Sequence, residues 1–575
     1  MRYSLPVKIL TVAVASILVT GCGGSKSKSS PETLTKSIDF MSNGDCRFGG
    51  TYTHGGADAN KNDQLDDEEI TNTAIECATS MESFNGIVYR VKDGSDEFQQ
   101  LLWTSLDGTA TAVIAAPEHT EGELHHYRLS PDKSKIAFMM QDAPSEPYRL
   151  WVRSLLDDSP MVDVSGDIVE GGDVYNFQWS HDGQYLAFRG DLDVDSLNDL
   201  YSVNSSGVGR VKLTQSLEGD EDVWSYSWSP TMNRIAYRAD ENTDGVNELF
   251  AVNVDGSNWT QVSGDMDHGL ADLQNFRWSH DGMKIAYRAD TFVNNKFELF
   301  TATSEGFLNT NLRPDMPDDH TTSYSFSWSP DDSRVAFLSG EQVGFGGHYS
   351  MYSAQPNGLN LINYTPDRES PQSVTSAKWS PDGTQLLALG DILTEGVKEA
   401  FTFSTDGMMA ARINSELVED GNVYFTEWSV DGQQVILKSD QTIEDQVNFY
   451  SATPMIQGSV QINHALPNFG DVFTLRQSAN GKDIIYRADA IVDDRDDFYW
   501  KDLEVDSPPQ LLFGAHETTS VSDYGWSDDG NYFAVILDST VPDEFELWIF
   551  DVENESVTKV SEIEFGGAIP FSFEW

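Results

Sequence analysis

Apolar and polar residues alternate along this chain in short runs, and almost no window keeps helical spacing. From Tyr226 to Gly256 it reads "YSWSPTMNRIAYRADENTDGVNELFAVNVDG". "YSWS" alternates, "PTMN" is a turn, and "RIAYRAD" is apolar and rich in β-formers. A polar loop follows, then "ELFAVN", a second turn "VDGS" and a last run "WTQVS". Four short β runs with turn signals at about 8–12 residue spacing predict an all-β unit. The phrase then returns as "FRWSHDGMKIAYRADTFVNNKFELFTATSEG". Trp179, Trp228, Trp278, Trp328, Trp379, Trp428 and Trp526 mark copies, and Leu129 and Gln477 hold the frame in two degenerate ones, at intervals of 49 to 51. A fixed period of this length predicts a solenoid, propeller or array, and four strands per copy select a β-propeller.

The ends of the array complement each other. "GIVYRVKDGSDEFQQLLWTSLDG" begins at Gly86 with what is the second strand of every other copy. The missing first strand stands at the far end as "PFSFEW", Pro570 to Trp575. The C-terminal strand is therefore expected to close the ring on the N-terminal copy, leaving no free edge. Nine complete copies and one composite make about ten, more than the usual 4–8 blades. The even spacing offers no linker, so one wide ring is expected, with two smaller rings as the alternative. "WSPDG" (Trp379–Gly383), "WSHDG" (Trp278–Gly282), "IAYRAD" and "ELF…DG" resemble the TolB-type, WD-repeat-like propellers of bacterial envelopes over about residues 86–575. No G-x-S-x-G occurs, and no binding residue of those relatives is carried over.

The first residues carry an address. Arg2 and Lys8 precede a short apolar run, Ile9 to Val19, too short for the ~20 residues of a spanning helix. "VTGC", Val19 to Cys22, resembles the lipobox of bacterial lipoproteins. That resemblance implies removal of residues 1–21, acylation of Cys22 and, with Gly23 following, an outer-membrane destination. Residues 22–37 then read as a flexible Gly/Ser/Lys tether, 38–79 as a small module and 80–575 as the propeller. With Cys22 taken by lipid, Cys46 and Cys77 remain. An exported compartment permits their disulfide, two buried free thiols being the alternative.

Between those cysteines lies "DANKNDQLDDEE". Calcium wants six to eight oxygens at alternate positions of a tight loop, closed by a bidentate carboxylate. Asp58, Asn60, Asn62, Gln64, Asp66 and Glu69 stand at those places, making an EF-hand-like loop. Asp63 replaces the glycine of the sharp turn, which weakens the site. "DDEEITNTAIECATS" is expected to form one short helix, and the stretch resembles a cysteine-flanked calcium module of exported bacterial proteins.

Charge enters last. There are 93 acidic and 36 basic residues, a net −57. Such a surface repels nucleic acid and bare anionic membrane and suits cations or cationic partners. Much of the acid recurs twelve positions after the frame, at Asp191, Asp240, Asp290, Asp391, Asp440, Asp489 and Asp538, with Arg or Lys often two positions earlier. An Arg–Asp pair pinning each loop is expected there. "DENTDG", with Asp240, Asn242, Asp244 and nearby Glu248, and "DLDVDSLND", with Asp191, Asp193 and Asp195, are further candidate calcium loops. Exposed hairpin loops favour Asp and Asn for turn reasons alone. His125 and His126 are adjacent and make a poor metal pair. With no catalytic motif, the expectation is a non-enzymatic, lipid-anchored binding or assembly scaffold for an envelope protein or surface glycan, with calcium as cofactor. The alternatives are a propeller hydrolase or lyase acting on polysaccharide, and a calcium-dependent adhesin.

Calcium is expected to raise the melting temperature, and Asp58→Ala with Glu69→Ala to reduce that rise in a thermal titration. A wild-type transition indifferent to calcium would remove the metal assignment.

Overall fold

The computed structural model describes residues 33–40, 50–57, 65, 70–77 and 84–575, apart from 93–98, 216, 218, 220, 244, 265, 267–270, 344–345, 367–371, 468–469, 490–496, 506, 514–520, 539–544 and 562–568. Within them every regular element is a strand. Three strands, Thr33–Phe40, Gly50–Ala57 and Ile70–Cys77, form a small antiparallel sheet. The first begins inside the stretch read as tether. The third occupies the place expected to be a helix. "ITNTAIEC" carries four β-branched residues, which favour a pleated strand, and it pairs with Gly50–Ala57.

The rest is propeller-like. Among the described residues ten four-stranded antiparallel sheets follow one another, and in nine of them the strands are consecutive in the chain. One example runs Val174–Trp179, Tyr185–Gly190, Asp199–Asn204 and Val211–Lys212. The tenth is composite: Ile569–Glu574 pairs antiparallel with Ile87–Lys92, setting Phe573 opposite Tyr89.

The sheets share their cores. One cluster joins Leu200 and Leu213 of one sheet to Tyr226, Ile235 and Tyr237 of the next. Another joins Ile536, Leu547 and Ile549 to Tyr89, Leu102, Phe573 and Trp575. Each sheet thus buries its apolar face against a neighbour.

The frame tryptophan ties neighbours further. The Trp228 indole N–H donates to the Gln178 carbonyl at 3.2 Å, Trp278 to Ser227 at 3.2 Å, Trp328 to Arg277 at 3.1 Å and Trp379 to Ser327 at 3.2 Å. Trp575 donates to Gly525 in the same way, at 3.1 Å. In the degenerate copies the substitutes differ. The Gln477 side-chain amide donates to the Trp428 carbonyl at 2.9 Å. At Leu129 the backbone N–H donates to Glu574 at 2.8 Å.

The "SPDG" turn is a local machine. Ser380 Oγ and the Thr384 N–H both donate to Asp382 Oδ1, at 2.6 and 3.0 Å, and Gly383 takes φ +71°, which its missing Cβ permits. These hydrogen bonds hold the Asp382 carboxyl below its ordinary value, and the same holds at Asp431 and Asp331.

Two outcomes are expected. Removing Pro570–Trp575 should destabilise by at least about 3 kcal/mol, the scale of one large buried aromatic, and circular dichroism melting would show it; an unchanged transition would count against the composite sheet. The turn carboxyls titrate lower in the folded protein than when unfolded, so their stabilisation is full above the unfolded pKa of about 3.9 and is lost as pH falls below it. Replacing Asp382, Asp431 and Asp331 by Asn should flatten that acid limb.

Candidate functional site

The loops between second and third strands hold the repeated aspartate. In Asp191 one carboxylate oxygen accepts the Asp173 N–H at 2.6 Å and the other the Ser196 N–H at 2.8 Å. Asp290 accepts from Asp272 and Asn295 at 2.5 and 2.8 Å, and Asp391 from Ser373 and Gly396 at 2.5 and 3.1 Å. Asp240 accepts from Asp222 at 2.8 Å and Asp440 from Asn422 at 2.6 Å. At Arg189, Arg238 and Lys438 the expected pairing with the aspartate gives way to two separate jobs. Arg189 donates to the carbonyls of Val223 and Trp224 in the next sheet, at 2.8 and 3.1 Å. Arg238 reaches Leu273 and Gln274, and Lys438 reaches Phe473. The strand stops at Gly190, so Asp191 leaves the pleat and is claimed by otherwise unpaired loop amides.

The remaining candidate ligands are spread out. Asp193 faces Arg210 at 3.7 Å. Ser196 Oγ donates to Asp195 at 3.3 Å. The Asn242 amide donates to Gln261 Oε1 at 3.1 Å, and Gln261 in turn donates to Glu248 at 2.8 Å. Among the described residues no three His, Cys, Asp or Glu converge on one point. Asp244, the whole loop set Asp58, Asn60, Asn62, Gln64, Asp66 and Glu69, Cys22, Cys46 and the Cys77 side chain lie outside the described residues.

A different site emerges along the first strands. In each sheet the first strand carries a register irregularity near its start, as between Val174 and Asn176, Val223 and Ser225, and Val423 and Phe425. The residue beside the bulge is released from the pleat. Tyr175, Trp224, Tyr324 and Tyr424 stand there and are 43%, 49%, 58% and 49% exposed. This column, four positions before the frame tryptophan, was present in the sequence as a run of aromatics on a strand face that otherwise reads polar.

A groove of about 660 Å³ crosses the first strands of three successive sheets, with His126, Arg128, Asn176, Gln178, Trp224 and Ser225 in its lining. Asn176 Oδ1 is buried there without a hydrogen-bond partner among the described residues. Partial burial, helped by Arg128, Arg90 and His125, pushes the His126 imidazole below its ordinary value. This favours the neutral imidazole, the form that can accept a proton. The two histidines pack apart, His125 edge-on to Tyr148 at 5.0 Å and His126 to Phe177 at 5.5 Å.

One margin of the groove meets the composite sheet. Arg128 donates to Glu574 at 2.6 Å, and the Tyr127 hydroxyl lies 3.0 Å from Ser572 Oγ. Burial pushes the Glu574 carboxyl up, against the pull of Arg128, and Asp523 adds to the rise. Burial likewise raises Asp523, which accepts the Phe573 N–H at 3.2 Å. Arg128 thus links a depressed imidazole in the groove to a raised carboxyl at its margin, groups of the kind that transfer protons.

No protein family matches the chain, and no curated protein does. Similar solved structures include dipeptidyl peptidase 4 of Porphyromonas gingivalis, at 10% identity and TM-score 0.47, covering 76% of this chain and 60% of that one. An oligogalacturonate lyase in complex with manganese has 13% identity and TM-score 0.32, covering 66% and 98%. A eukaryotic initiation factor has 15% identity and TM-score 0.43, covering 77% and 96%. The chain thus spans about 60% of the length of the dipeptidyl peptidase. The expectation that this protein is not an enzyme is withdrawn: a peptidase and a lyase, with prolyl endopeptidases besides, stand among the similar structures, so the architecture is no ground for excluding catalysis. At these identities and TM-scores no activity passes from them to this chain.

Asp191→Ala should strand two backbone amides and destabilise by about 2–4 kcal/mol, with the loss the same in calcium and in chelator by denaturant titration. A loss confined to calcium-loaded protein would mark Asp191 as a metal ligand.

Proposed function

We propose that this protein is a lipid-anchored propeller of the bacterial cell envelope that binds an acidic polysaccharide along its first-strand face and cleaves it as a lyase or hydrolase. The observation that carries this is the groove itself: an exposed indole beside a guanidinium, two side-chain amides and a neutral imidazole. A sugar ring offers a C–H face for the indole of Trp224 and hydroxyls for Asn176 and Gln178. A uronate carboxylate suits Arg128, a local cation in the groove of a chain whose net charge of −57 otherwise repels anions. His126 serves as the base. In a lyase step it takes the proton beside the uronate carboxylate, the freed electron pair becomes the new C=C bond, and the glycosidic C–O bond breaks as its oxygen takes a proton from solvent, leaving an unsaturated sugar end. In a hydrolase step it would activate water instead, with a raised carboxyl protonating the leaving oxygen.

The reading includes one closed ring of ten sheets, supported by the pairing of Ile569–Glu574 with Ile87–Lys92 and by the core those ends share. The first strands would then line its axis. Anchoring at Cys22 and a calcium-stiffened module at Asp58–Glu69 belong to the same proposal.

A binding scaffold is the second reading. It is favoured by apolar residues at the turns between third and fourth strands of successive sheets: Phe307, Leu308, Leu359, Met408, Met409 and Ile456 are all exposed. A crosslinking pull-down of the acylated protein from its own envelope would recover one dominant partner if this reading holds.

The purified chain should shorten a uronate-containing polysaccharide, and ultraviolet absorbance of the product separates elimination from hydrolysis. Trp224→Ala is expected to raise KM, and His126→Ala to lower kcat at least about a hundredfold, the usual scale of general-base loss. With its imidazole pushed down from 6.5, half-maximal rate on the acid limb should fall below pH 6.5. Wild-type rates in His126→Ala, or no cleavage of any acidic polysaccharide, would defeat the proposal.

A further inference from the structure

The end of the sheets opposite the acidic loops carries the turns between first and second strands and between third and fourth. There a second cleft of about 710 Å³ spans three consecutive sheets. Tyr185, Met232, Trp259 and Phe307 supply apolar wall, and Arg234 lies at its floor, 5% exposed. The terminal nitrogens of Arg234 are engaged. They donate to Asn253 Oδ1 at 2.9 Å and to the carbonyls of Ala251, Asn258 and Ser304 at 3.3, 3.0 and 3.0 Å. The Nε–H is buried and has no partner among the described residues. Asn233 Oδ1, in the same lining, is also buried and unpaired, while its amide nitrogen donates to Asp182 at 3.2 Å.

The sheet two copies on shows why. Arg334 occupies the position of Arg234, and its Nε donates to Ser353 Oγ at 2.8 Å. The strand registers place Ala251 where Ser353 stands, opposite Ala236 and Ala336 respectively. The missing hydroxyl leaves one donor over. Buried polar groups are rarely left so, because each forfeits its water without replacement.

We infer that this cleft binds a neutral sugar residue whose hydroxyls reach Arg234 Nε as donor and Asn233 Oδ1 as acceptor. Hydroxyls on neighbouring carbons of a sugar ring can accept one hydrogen bond and donate another. Its C–H face suits Trp259 and the exposed ring of Phe307. Asp255 and Glu305 line the cleft and disfavour an anion, while the Arg234 guanidinium disfavours a cation. The site is separate from the groove at Trp224 and does not depend on that reading.

The test uses the full chain, titrated with neutral cello-, malto- and chito-hexaoses and followed by calorimetry and tryptophan fluorescence. Wild type is expected to bind one of the three. Phe307→Ala, an exposed position, should weaken binding about tenfold, the scale of one lost aromatic contact. Ala251→Ser, which offers Nε the hydroxyl that Ser353 gives Arg334, should weaken it similarly while the melting temperature holds or rises. Trp224→Ala should leave this binding unchanged, which keeps the two sites distinguishable. The inference is overturned if no hexaose binds at millimolar concentration, or if Phe307→Ala binds as wild type. Binding of an unstructured peptide pool instead, lost in Phe307→Ala, would overturn the sugar assignment.

Discussion

A four-stranded sheet of this length cannot cover its own apolar faces, and the rest of the molecule follows from that constraint. Each sheet places Tyr, Phe, Ile and Val against the next, so stability resides between repeats more than within them. The indole-to-carbonyl bond of the frame tryptophan sets how neighbours meet, because it joins one first strand to the one before it. Where the indole is absent the link is rebuilt with other atoms. Gln477 uses its amide, and Leu129 relies on the Glu574 carboxylate with Arg128 beside it.

That same scaffold gives its two ends different chemistry. At one end the aspartates are consumed by backbone amides, which turns a large share of the acid from a candidate ligand set into a means of holding loops. The bulge at the start of each first strand then sets aromatic residues free on that face. At the other end the turns are built by Ser and Asp of the "SPDG" type and leave a cleft where one repeat lacks a hydroxyl its relative has. Repetition makes such differences visible: the Nε that is satisfied at Arg334 lacks a partner among the described residues at Arg234.

The composite sheet is the point where the array stops being uniform. Glu574 and Asp523 sit there with raised pKa values, Glu574 bonded to Arg128, whose charge also helps push the His126 imidazole down. No other first-strand position described combines these groups, and the proposed reaction is placed there for that reason.

Periodicity made the architecture legible without coordinates. The ~50-residue frame, the four strands of each copy, and the pairing of "PFSFEW" with the sheet of Tyr89 all follow from local alternation and spacing. Local pattern misled where a tertiary partner outweighed it. "ITNTAIEC" is a strand because Gly50–Ala57 offers it an edge, and Arg189 leaves Asp191 because the neighbouring sheet presents two carbonyls. The groove of His126, Arg128 and Trp224 and the orphaned Nε of Arg234 belong to no motif. Each is lined by three sheets whose copies follow about fifty residues apart in the chain and meet only when sheets stack, so proximity, burial and the pKa shifts they cause were decided by the tertiary structure alone.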